Sequence, residues 1–157
     1  MGPMYHIFQE EERRKVIVNA LSVLNPGGKI YLAFIHLLAG AFYYLDEWPK
    51  GLAEEIKLEN EYRECLMENR SWQGAAFTDA RFDTLSEIRS FMGSFGLRQV
   101  GLFGQEGFLA SNLSRIEALE EPHRSLWVDL AFHLCEQPDY LAMSSHIMYV
   151  GELEALE

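Results

Sequence analysis

Apolar side chains recur every three or four positions from Gln9 or Glu10 to Leu24. Ile17, Ala20, Leu21 and Leu24 share one face with Val16 beside them, and this period predicts a helix. Glu10, Glu11 and Glu12 occupy its first turn, where the helix dipole favours negative charge, and Glu11 reaches Lys15 four positions on. Asn25-Pro26-Gly27-Gly28 then stops it, because proline cannot continue a helix and glycine accepts the reversed backbone. Ile30–Ile35 is a near-continuous apolar run, the pattern of a strand buried on both faces and covered by helices.

From Leu37 to Ala80 the rhythm breaks. The segment carries Phe42, Tyr43, Tyr44, Trp48, Tyr62, Trp72 and Phe77, with an amphipathic helix expected from about Leu52 to Met67. It reads as an inserted cap (37–80) over the carboxyl ends of the strands, outside the sheet. Thr84-Leu85-Ser86-Glu87 is a capping box, followed by Leu85, Ile88, Phe91, Met92 and Phe95 on one helix face and a stop at Gly96. Leu97–Gln105 is the next strand. A helical stretch over about Asn112 to Glu136 is divided at Pro122, with Leu126, Leu130, Ala131 and Leu134 facing the core. His146–Gly151 is the last strand. Helices and buried strands in this order predict one α/β domain over 1–157.

The chain has 157 residues, of which 48% are hydrophobic and 13% aromatic, enough for a packed core. Its formal net charge of -11 disfavours a nucleic-acid partner, which needs clustered Lys and Arg, and disfavours attraction to an anionic membrane. The apolar run from Ile30 to Leu45 contains His36 and is short for a span, so a cytoplasmic protein is expected. Cys65 and Cys135 are isolated, and the five histidines form no metal-ligand spacing, so no metal is expected.

Three segments together resemble one family. Gly2-Pro3-Met4-Tyr5-His6 resembles the G-P-x-Y-H stretch after the fourth strand of small-molecule class I S-adenosylmethionine-dependent methyltransferases. Glu12-Arg13, Ala20-Leu21, Leu24 and Pro26-Gly27-Gly28 are similar to that family's next helix and its turn into the fifth strand. Phe77-Thr78-Asp79 through Leu85, Glu87-Ile88, Gly96 and Gln105-Glu106-Gly107 are similar to the approach to the sixth strand and the E-G pair after it. The resemblance covers the C-terminal half of the family fold. It implies a partial Rossmann-like sheet whose strands Ile30–Ile35, His146–Gly151 and Leu97–Gln105 correspond to strands five, seven and six, with the last strand antiparallel between the other two. S-adenosylmethionine is implied as cofactor by the resemblance alone. The family's glycine-rich donor turn and the acidic residue for the ribose belong to the half before Met1. Gly27-Gly28 cannot replace that turn, because it joins a helix to a strand and not a strand to a helix.

The resemblance places Tyr5 and His6 at the carboxyl end of the fourth strand, facing the substrate, with His6 as the candidate base. The alternative is a backbone hydrogen bond for His6 and simple packing for Tyr5. His36 closes the fifth strand and is a candidate for the same crevice, or else a structural histidine. Tyr43, Tyr44, Trp48 and Trp72, with Phe42 and Phe77, form either a water-excluding lid over a small-molecule acceptor or the core of the cap. Methyl transfer depends mainly on holding the acceptor aligned in a dry site, with a base where the acceptor must lose a proton. Ile30–Ile35, interior in the family fold, lacks its fourth-strand neighbour here and is guarded only by Lys29, so a two-fold homodimer through this edge is expected. The rival reading is a non-catalytic binding or assembly module that has kept the half-fold.

Overall fold

The computed structural model describes residues 4–154, so Gly2 and Pro3 of the N-terminal motif lie outside the described residues. Helix α1 (Glu10–Ser22) leads through the Asn25–Gly28 turn, with Gly27 at φ +77°, into strand β1 (Lys29–His36). Helices α2 (Leu38–Glu47) and α3 (Lys57–Glu68) follow, then a hairpin of β2 (Trp72–Ala75) and β3 (Asp79–Asp83). Helix α4 (Leu85–Gly93), strand β4 (Leu97–Gly104), helices α5 (Leu113–Glu117) and α6 (His123–Leu134), and strand β5 (His146–Leu153) follow among the described residues.

The five strands form one mixed sheet in the order β2-β3-β1-β5-β4. β3 runs parallel to β1, while β5 is antiparallel to both β1 and β4, as expected of the last strand. The fold is α/β.

The main core lies on one face of this sheet. Ile30, Leu32 and Phe34 of β1, Ile147 and Tyr149 of β5, and Leu102 of β4 meet Ile17 of α1 and Ile88, Phe91 and Met92 of α4. Beneath α1 lies a charged pair: Arg13 reaches Asp83 at 3.0 Å with both side chains buried, and Arg81 reaches the other oxygen at 2.7 Å. The Arg13 guanidinium also stacks over the Phe91 ring at 4.6 Å. Thr84 and Glu87 close the capping box at the start of α4 as the sequence predicts. Among the described residues no helix is long and apolar enough to cross a membrane.

Three expectations are corrected. The 37–80 segment is not wholly a cap outside the sheet, because Trp72–Ala75 and the start of β3 are sheet strands. Their inward side chains (Trp72, Ala80, Phe82) alternate as a half-buried strand requires, but each run is only four or five residues long. For the same reason Ile30–Ile35 is not an edge strand. It lies third of five, with β3 pairing at Ile35 and His36, and the Met4–His6 turn packs against both strands. Finally, α6 does not turn a face to the core. None of its residues is buried, and Leu126 is 67% exposed, because the helix packs mainly on α5 and the turn after β4.

Candidate functional site

A cavity of about 510 Å³ opens at the carboxyl end of β1. Its floor is one row across four strands: Trp72 pairs with Phe82, Phe82 with Ile35, and Ile35 with His146. Side chains directly opposite on neighbouring strands share a face, so the register alone brings these four together. The walls are helical. Tyr43 and Tyr44 of α2 and Trp48 at its end face Leu58, Glu59 and Tyr62 of α3, with Phe77 of the β2–β3 turn at the side. Gly40 of α2 permits the close approach of Tyr62, since a methyl group there would stand 2.7 Å from the Tyr62 ring. The Tyr62 hydroxyl donates to the Leu37 carbonyl at 2.6 Å, tying α3 to the end of β1.

Two polar systems face this apolar space. On the helical wall, the Tyr44 hydroxyl donates to Glu59 Oε1 at 3.1 Å. Burial, reinforced by Glu59, pushes the Tyr44 phenol up to about 12, so it remains a donor. Glu59 itself is buried, and its Oε2 has no partner among the described residues; the Trp72 indole Nε1 is likewise buried and unpaired among them.

On the floor, Glu106 just beyond β4 holds His146 at both ends. One carboxylate oxygen accepts from the His146 backbone N–H at 2.9 Å, and the other meets Nδ1 at 2.5 Å. The hydrogen bond to Glu106 raises the His146 pKa against the opposing effect of burial. The Glu106 carboxyl is lowered: burial opposes, but the bonds from His146 win. With Nδ1 bound to a carboxylate, Nε2 is the ring nitrogen left for a proton acceptor's role. Gly107, at φ +60°, turns the chain after Glu106 and donates its N–H to Ser144 Oγ at 2.8 Å.

Tyr43, Tyr44, Trp48 and Trp72 all line the cavity. Tyr5 and His6 stand at its edge. The Tyr5 ring lies 6.2 Å from that of His146, and His6 lies 6.3 Å from Phe77. His6 Nδ1 meets the Asp79 carbonyl oxygen at 3.0 Å, so the backbone hydrogen bond weighed for it is present. His36 departs from this group. Alternate side chains of a strand point to opposite faces, and with Ile35 in the cavity floor His36 turns away. It lines a separate cavity with Leu66, Asn69, Thr84 and Arg89. There it is 5% exposed with Nδ1 unpaired, and burial pushes its pKa down to about 4.

Sequence reasoning missed Glu59 and the Glu106–His146 pair. Glu106 was visible only as part of a turn and His146 only as the start of a strand. Their forty-residue separation gives no local spacing to read. Among the described residues, no group of three or more His, Cys, Asp or Glu could hold a metal ion.

The implied donor is a poorer fit. Its nucleoside needs a strand-to-helix turn with free backbone N–H groups. Gly27-Gly28 joins α1 to β1 in the opposite sense, and the Gly107 N–H is already given to Ser144. Neither glycine turn therefore fits the nucleoside. Compared with known proteins, the sequence matches no family model and no curated protein.

Proposed function

We propose that the chain is the C-terminal, acceptor-binding part of an S-adenosylmethionine-dependent methyltransferase acting on a small molecule. The observation carrying this reading is the placement of β5, reversed and inserted between β1 and β4, which is the arrangement implied for strands five, seven and six. The cavity at the carboxyl end of β1 supports it, because α/β sheets bind their ligands at that edge. The aromatic walls exclude water and orient the acceptor. His146, held by Glu106, takes the proton from an acceptor hydroxyl or amine at Nε2, and Glu106 stabilises the imidazolium that results. His6 at the rim is the second candidate base. A cytoplasmic location and a two-fold dimer through the Lys29–Phe34 flank, where β3 does not reach, belong to the same reading.

Incubation with methyl-labelled S-adenosylmethionine at millimolar concentration and a panel of small hydroxyl and amine acceptors tests it. Label on an acceptor is the expected result. No label on any of them overturns the enzyme reading and leaves the non-catalytic binding module.

A further inference from the structure

We infer that the aromatic cavity selects acceptors bearing an organic ammonium group, with Glu59 as the counter-charge; this rests on the cavity being the acceptor site. Glu59 lines the cavity from α3 and is 7% exposed. Its Oε1 is engaged by the Tyr44 hydroxyl, whereas Oε2 is buried with no partner among the described residues. A carboxylate out of water with an unused oxygen is costly unless a donor or cation meets it. Among the described residues no donor meets Oε2, and no Lys or Arg lines the cavity. The one basic side chain on its lining, His146, is already paired with Glu106.

The same cavity is lined by aromatic rings. Tyr44 stacks on Tyr62 with centroids 6.1 Å apart, Trp48 lies 6.0 Å from Tyr44, and Trp72 lies 5.5 Å from Tyr62. Aromatic faces attract cations most strongly where water is excluded. A neutral guest offers Oε2 at most an uncharged donor and leaves the carboxylate without a counter-charge. An ammonium group donates N–H to it, and the rings and the carboxylate share its charge. The group is a handle that fixes orientation, leaving the far end of the guest toward His146.

Calorimetric titration at neutral pH with phenethylammonium chloride and its neutral isostere 2-phenylethanol tests the inference. The ammonium is expected to bind roughly tenfold more tightly or better, the difference a hydrogen bond to a charged group makes. Glu59→Gln, which keeps the shape and an oxygen for Tyr44 but removes the charge, is expected to abolish the difference. Equal binding of the two by the parent protein, no binding of the ammonium, or a preference that survives Glu59→Gln overturns it. If Glu59→Gln does not fold, the comparison on the parent protein decides alone. No donor is present in the titration, so the two readings fail separately. Ammonium selection without methyl transfer defeats the function, and methyl transfer confined to neutral acceptors defeats this inference.

Discussion

His36 and His146 answer to pH in opposite senses. His36, buried without a partner for Nδ1, is held near 4 against an ordinary 6.5. Its folded value is depressed, so the unfolded chain takes up the proton first, and the stability present above 6.5 is lost as pH falls toward 4. The loss is at most about 1.4 kcal/mol per pH unit. His36→Leu should flatten that part of the acid-stability curve, measured by urea unfolding across the range; an unchanged curve would mean that His36 is not buried neutral. His146 is raised by Glu106, so its contribution is full below 6.5 and fades as pH rises through the raised value. Glu106 is lowered, so its share is present above the ordinary carboxyl range and fades as pH falls through the lowered value. Both side chains are about one-third exposed, and solvent screening keeps the effect on stability small. The effect on titration should be plain. In NMR titration of the imidazole, His146 is expected above 6.5 and should move down in Glu106→Gln; no movement would show that the pair is not formed.

At the level of elements, the fold hangs on how β3 and α4 are pinned. Asp83 ends β3 and receives Arg13 from α1 and Arg81 from its own strand, all under the main core. Removing it leaves the Arg13 guanidinium buried beside Arg81 with no counter-charge, and burial already depresses Arg13. Asp83→Ala should cost roughly 3–5 kcal/mol by chemical denaturation, the usual penalty for breaking a buried pair; a loss below about 1 kcal/mol would put this pair with weak surface ones. Thr84→Ala, one residue on, removes only the cap of α4 and should cost about 1 kcal/mol.

The capping box was legible because its two partners lie three residues apart, as were α1 and β1 through period and turn chemistry. The β2–β3 hairpin was not. Its turn at Ala76-Phe77-Thr78 has no glycine or asparagine to mark it, and aromatic runs around it suggested a cap. Tyr43, Tyr44, Trp48 and Trp72, which line the cavity, stood out in the sequence as aromatics, yet Glu59 looked like any acidic residue of an exposed helix. It is buried in the fold, where Tyr44 of α2 reaches it across from α3. Helix α6 misled in the other direction, since Leu126 and Leu130 have core-like spacing and remain exposed.

For the whole molecule, the sheet divides the work between its ends and faces. One face carries α1, α4 and the main core, while the carboxyl edge of β1 carries the aromatic cavity and the Glu106–His146 pair. The Lys29–Phe34 flank of β1 beyond the reach of β3, together with exposed Leu126 and Phe132 on α6, supports the two-fold dimer proposed with the function. Sedimentation equilibrium at micromolar concentration should show about twice the 18.1 kDa chain mass; a single species of that mass without association would contradict it. The central claim, that the cavity presents an acceptor to His146, is tested most directly by methyl transfer from labelled S-adenosylmethionine, comparing the parent chain with His146→Ala. The account predicts label on a small-molecule acceptor with the parent, reduced by roughly 10²-fold or more when the base is removed. Equal labelling by the two proteins, or none by the parent, would contradict it.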